Sequence, residues 1–115
     1  MAGSTPHLVE LRGTLGLRDA GDLAARLGAA IEANVAVVLS ANDLTGIDIS
    51  ILQVLLSAHK SATAAGRSLT FASPAGGVLR QTLIRAGLLG PSGEPTAAEG
   101  EFWTGTAGRS KGLAA

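Results

Sequence analysis

The order of apolar and polar positions along this chain predicts several short strands. Residues 7–12 alternate apolar and polar side chains and stop at Gly13, which is typical of a strand that ends in a turn. Residues 14–17 are predicted to form a second short strand after that turn. The β-branched run at 35–39 predicts a central strand that is buried on both faces, and residues 68–72 predict a fourth strand.

Three segments instead repeat apolar residues at helical spacing. The first helix is predicted to begin at Asp19 or Asp22 and to run to about residue 33. The second begins at Asp48 and stops at Gly66, and the third has Pro74 in its first turn. Their apolar stripes consist of Leu23, Leu27, Ala30 and Ile31, then Leu52, Leu55 and Leu56, then Val78, Leu79, Leu83 and Ile84.

The alternation of these elements indicates the fold class. Residues 40–46 (SANDLTG) are polar and are predicted to be a loop between the central strand and the second helix. Strands and helices that alternate with short connections favour right-handed βαβ crossovers. We therefore predict an α/β fold with a central mixed sheet of about four strands, mixed in direction at its N-terminal edge, with helices packed chiefly on one face.

The composition changes at about residue 90. Residues 90–115 are rich in Gly, Ser, Pro, Thr and Ala, and their only large side chains are Phe102 and Trp103. Such a segment has little apolar surface to bury. A chain of 115 residues has the size of one domain, so we predict a domain over 1–89 and a flexible C-terminal tail over 90–115.

Charge and composition exclude several classes of partner. Nine basic and nine acidic residues give a net charge of zero, and no basic block stands out, which argues against nucleic acid and anionic membranes as partners. No apolar run approaches the roughly 20 residues that a membrane-spanning helix needs, so no membrane insertion is expected. The first residues lack the pattern of a signal peptide, and the chain has no cysteine. We expect a soluble, cytoplasmic protein.

The candidate chemistry is sparse. His7 and His59 do not have the spacing of metal ligands, and Gly76 and Gly77 lack the Lys-Ser/Thr of a phosphate loop. Ser50 and His59 are nine residues apart, which is about 13 Å along a helix and too far for a catalytic dyad. We find no catalytic residue set, metal site or cofactor site, and expect a binding protein rather than an enzyme.

Residues 35–89 contain an ordered set of motifs. They are a buried strand, a D-x-S helix start, a helix that stops at glycine, a strand that ends in S-P, and a helix that ends in G-L. The positions that carry this pattern are Asp48, Ser50, Leu52, Leu55, Leu56, Gly66, Ser73, Pro74, Gly87 and Leu88. In this order and spacing the segment resembles the STAS family, which includes bacterial anti-sigma factor antagonists.

This resemblance implies a function. In the family, the serine two residues after the aspartate is phosphorylated by a partner kinase that also acts as an anti-sigma factor. That position is Ser50, and the implied partner-binding residues are Asp48, Ile49, Ser50 and Ile51. Ile49 and Ile51 replace a serine and a glycine of the family pattern. The alternative is an unphosphorylated STAS adaptor or scaffold in a chemotaxis signalling or transport complex, with Ser50 an ordinary helix-start serine. Partner identity and oligomeric state are left open.

Overall fold

A computed structural model describes residues 6–73, 76–92 and 100–104 of the chain. Strands and helices alternate along it, as the sequence pattern predicts. The elements are β1 (His7–Leu15), a short 3-10 helix (Leu17–Asp19), α1 (Ala20–Ala33), β2 (Ala36–Ile47), α2 (Ile49–Ala64), β3 (Ser68–Phe71), α3 (Gly77–Arg85) and α4 (Gly100–Thr104). The α/β class is therefore confirmed.

The described strands form one sheet in the order β1-β2-β3, and both strand pairs are parallel. The prediction of four strands in mixed directions needs correction at Gly13. Gly13 has a φ of +70°, a conformation that glycine adopts readily, but the chain does not reverse there. Thr14 and Leu15 instead continue β1 and pair with Gly46 and Ile47. Two predicted strands are thus one strand, and no antiparallel edge forms among the described residues.

The predicted loop at 40–46 is also wrong, because this segment continues β2. Arg12 pairs with Asp43, and Gly13 pairs with Leu44, whose side chain is buried. The register shifts twice, between Glu10 and Arg12 and again between Gly13 and Thr14. At each shift β2 has one residue more than β1, and an extra residue of this kind on one strand of a pair is a β-bulge. The polar composition of the segment hides a bulged strand.

The buried face of the sheet is formed by alternate residues of all three strands, namely Val9, Leu11, Val37, Leu39, Leu69 and Phe71. Residues between them, such as Leu8 and Thr70, are exposed. Helices therefore cover chiefly one face, as predicted. The prediction that residues 35–39 are buried on both faces is wrong: Val37 and Leu39 are inaccessible, but Val38 is only partly buried and Val35, before the strand, is 65% exposed.

The ends of α1 and α2 are formed in different ways. Asp19 closes the short 3-10 helix before α1, and its Oδ2 accepts a hydrogen bond from the Gly16 N–H at 2.9 Å. Asp19 is the residue that precedes α1, but its side chain makes no capping hydrogen bond to α1. Gly66 follows the C-terminal end of α2. Its φ of +75° is a left-handed conformation, which favours glycine at this position after a helix. The Arg67 N–H there donates to the Ala62 carbonyl at 2.8 Å. The apolar stripe predicted for α1 is buried. α3 begins at Gly77, and Pro74 lies outside the described residues.

The prediction of a flexible tail over 90–115 needs correction at Phe102 and Trp103. Both lie in α4 and are buried, with 3% and 1% exposure. The Phe102 ring stacks on His59 with the centroids 4.3 Å apart, and Phe71 contacts both tail aromatics. Burial of two large aromatic side chains offsets the cost of ordering a short segment. Phe102 and Trp103 therefore belong to the core. Residues 93–99 and 105–115 lie outside the described residues, and the prediction for them stays a prediction.

Among the described residues, no helix combines the length and apolar character that crossing a bilayer requires.

Candidate functional site

The D-x-S motif lies where β2 ends and α2 begins. Asp48 has extended backbone angles and caps α2, because its Oδ1 accepts a hydrogen bond from the Ile49 N–H at 2.7 Å. The Asp48 N–H donates to the Leu15 carbonyl at 3.0 Å. This bond ties the helix start to the end of β1. The predicted N-cap is confirmed, and the motif is fixed to the carboxyl ends of two strands.

Ser50 lies in the first turn of α2 and is partly exposed. Its Oγ donates a hydrogen bond to Asp48 Oδ2 at 3.2 Å. The Ile51 and Leu52 N–H groups donate to the Asp48 carbonyl, at 3.0 and 3.3 Å. Three of the first four N–H groups of α2, those of Ile49, Ile51 and Leu52, therefore donate to Asp48. A phosphate on Ser50 would find few free helix donors and would adjoin a carboxylate.

Two apolar side chains are exposed beside this motif. Ile49 is 49% exposed and Leu17 is 72% exposed. Each lies two residues after a strand end, and those ends, Leu15 and Ile47, are paired in the sheet. Both side chains thus belong to the same end of the sheet as Ser50. The sequence interpretation missed Leu17, although an apolar residue among Gly16, Arg18 and Asp19 is a signal for an exposed surface contact.

Ile51 does not belong to this surface. Its side chain has 0% exposure and lies in the core with Leu52 and Leu55. A partner cannot contact it while α2 is folded, so the prediction that Ile51 binds a partner needs correction. Its large apolar side chain anchors the first turn of α2 and thereby fixes the position of Ser50.

The other singled-out residues lie elsewhere. His59, on α2, has its Nδ1 3.2 Å from the Leu69 carbonyl and stacks on Phe102, so its contacts are those of a packing residue. His7 is exposed at the start of β1. The candidate site therefore consists of Asp48, Ile49 and Ser50, with Leu17 beside them.

Comparisons with known proteins agree with this fold. The structure is similar to that of the anti-sigma factor antagonist SpoIIAA in its unphosphorylated form, with a TM-score of 0.60 and 19% sequence identity. The match covers 94% of this chain and 91% of that chain, and it demonstrates a shared fold. Among curated proteins no relative matches. The family model described as "Mlab, STAS domain" matches residues 2–90, and the chain therefore belongs to the STAS domain family.

Proposed function

We propose that this chain is a protein-binding regulator of the anti-sigma factor antagonist type, and that phosphorylation of Ser50 switches its partner binding. The observation that carries the proposal is the position of the Ser50 hydroxyl. It is partly exposed in the first turn of α2, hydrogen-bonded to Asp48 and next to the exposed side chain of Ile49. The similarity in fold to SpoIIAA supports the same type of function.

The unmodified surface suits docking of a protein. Leu17 and Ile49 supply apolar area that a partner can remove from water. The Ser50 hydroxyl offsets part of the Asp48 charge by donating to its carboxylate. We infer that the partner is a kinase-like regulator of the anti-sigma factor type that acts in the cytoplasm. The chain itself acts by binding, not by catalysis.

Phosphorylation changes this surface in two ways. The modified Oγ has no proton and can no longer donate to Asp48, so the hydrogen bond is lost. The phosphate also adds about −1.5 to −2 charges at neutral pH directly beside the Asp48 carboxylate. Because Asp48 already occupies most of the N–H groups at the helix start, this charge is poorly compensated inside the domain. Docking that excludes water from the site would then become unfavourable.

Ile49 favours a second candidate function, that of an adaptor in a chemotaxis or transport complex. Its bulk stands where the family pattern has serine, and its exposure gives a permanently apolar contact beside Ser50. In an adaptor the serine stays unmodified, and its hydroxyl only donates a hydrogen bond to Asp48.

Phosphorylation mapping separates the two functions. The protein is isolated from its native cells and its phosphorylated peptides are identified by mass spectrometry. Ser50→Ala serves as the test variant and Ser57→Ala, an exposed serine of the same helix, as the matched control. We expect phosphate on Ser50 in the wild type and in Ser57→Ala, and none in Ser50→Ala. A chain that carries no phosphate on Ser50 under any growth condition contradicts the switch and leaves the adaptor.

A further inference from the structure

Strand β1 forms an edge of the sheet, and a groove of about 900 Å³ lies along it on the α1 side. Among the described residues, β1 pairs only with β2. A parallel ladder uses the backbone N–H and C=O groups of alternate residues, so the remaining ones in β1 point to the open edge. Such a row of unpaired groups is a template for another strand.

The bulges of the β1–β2 pair do not lie on the edge strand. The extra residues at both register shifts lie in β2, between Ser40 and Asp43 and between Leu44 and Gly46. β1 therefore contributes no extra residue at either shift, and Gly13 is the one described residue of β1 with a positive φ. Bulges on the central strand leave the outer edge available for pairing.

The groove has the shape for an extended segment. Its lining includes Val9 and Leu11 of β1, and from α1 it includes Ala29 and Ala33 together with the charged Asp22 and Arg26. Both alanines are exposed and small, so α1 leaves room beside the edge for the side chains of an added strand. The occupant is thus a strand that places apolar side chains toward α1 and polar ones on the open sheet face.

We propose that this strand is β1 of a second copy of the chain, paired antiparallel about a two-fold axis at Leu11. The sequence of β1 itself satisfies the requirements of the groove. In this register Leu11 lies opposite Leu11 of the second copy on the buried face of the sheet. On the open face, Glu10 lies opposite Arg12 of the second copy. Two symmetric ion pairs result, and opposite charges directly across a strand pair are favourable. The proposal is independent of Ser50.

Charge selects this register over its neighbours. A two-fold axis normal to the sheet keeps the same face of both copies on one side, so the register can shift only by two residues. A shift in one direction places Glu10 opposite Glu10 of the copy, and a shift in the other places Arg12 opposite Arg12. Like charges directly opposite each other are unfavourable. The register centred on Leu11 is therefore preferred.

Glu10 and Arg12 are suitable positions for a test because they are exposed. They form an ion pair with each other in the single chain, with side-chain exposures of 42% and 66%. Charge reversal at either position leaves the buried face of β1 untouched. The variants Glu10→Arg and Arg12→Glu, the double reversal, and the control Lys60→Glu on exposed α2 surface are compared by sedimentation equilibrium up to millimolar concentration. Circular dichroism and urea melts establish that each variant is folded.

We expect the wild type and Lys60→Glu to form a dimer with the same dissociation constant. Each single reversal should weaken the dimer by about tenfold or more, because two attractive pairs become repulsive. The double reversal should restore it, and an equimolar mixture of the two single variants should form a heterodimer. A wild type that stays monomeric, single reversals that dimerise like the wild type, or a double reversal that fails to recover dimerisation would each overturn the proposal.

Discussion

The Oγ of Ser50 donates a hydrogen bond to Oδ2 of Asp48 at 3.2 Å, so the proposed phosphoacceptor is bonded to the residue that caps its own helix. The same carboxylate accepts the Ile49 N–H through its other oxygen. The helix start and the proposed switch therefore share one side chain, that of Asp48. A change at Ser50 alters the surroundings of the Asp48 cap. A change at Asp48 alters both the cap and the hydrogen bond to Ser50.

Substitution of Asp48 tests the cap. We expect Asp48→Ala to lower the free energy of unfolding by about 1 kcal/mol, because the helix loses the acceptor for the Ile49 N–H. Asp48→Asn is the matched control: asparagine caps helices about as well as aspartate, so its stability should stay close to that of the wild type. Urea denaturation measures both. Equal losses in the two variants would show that the charge of Asp48, and not its cap, stabilises α2.

Substitution of Trp103 tests whether α4 is part of the core. The indole is 1% exposed and packs near Phe71. We expect Trp103→Ala to cost about 3 kcal/mol or more in free energy of unfolding. Leu17→Ala is the control, because Leu17 is 72% exposed, and its effect should remain within about 0.5 kcal/mol. If the Trp103→Ala protein were as stable as the wild type, Trp103 would not contribute to the core.

Val37 and Thr70 lie on neighbouring strands and provide a matched pair of aspartate substitutions. Val37 is inaccessible on the buried face, whereas Thr70 on the neighbouring strand β3 is exposed on the opposite face. We expect Val37→Asp to lower the free energy of unfolding by roughly 3 kcal/mol or more, since the carboxylate loses its hydration without gaining a partner. Thr70→Asp should be far milder. Chemical denaturation midpoints that fall equally would contradict the one-sided core.

Two glycines should respond to alanine in opposite directions. Gly66 follows α2 with a φ of +75°, where an alanine side chain costs about 1 kcal/mol. Gly28 lies within α1 with open space around an added Cβ, and alanine there should raise the free energy of unfolding by about 0.5–1 kcal/mol. Thermal unfolding of the two variants checks the signs. A stabilising Gly66→Ala would show that the turn after α2 is not as described.

The elements that the sequence predicts well are those with a local cause. Asp48 at the start of α2 and Gly66 after its end are recognisable from their own chemistry, and the apolar stripe of α1 follows from its spacing. Strand β3 needs only the alternation of Leu69 and Phe71. In each case a few neighbouring residues determine the structure.

The elements that the sequence predicts poorly depend on distant partners. The bulged half of β2 is polar in composition and becomes a strand because β1 pairs with it, and Gly13 looks like a turn until Thr14 is found opposite Gly46. Phe102 and Trp103 lie in a segment of low complexity and are buried only because Phe71 and His59 receive them. Leu17 joins the candidate site through the pairing of two strand ends. Long-range contacts of this kind leave little trace in local composition.

The most direct test of the Ser50 switch is calorimetric titration of the regulator that co-purifies with the chain from its native cells. The titrated proteins are the wild type, Ser50→Ala, Ser50→Glu and the control Ser57→Glu. We expect wild type, Ser50→Ala and Ser57→Glu to bind with similar affinity, and Ser50→Glu to bind at least tenfold more weakly, which is about 1.4 kcal/mol. Affinity of Ser50→Glu equal to that of the wild type would contradict the proposed switch.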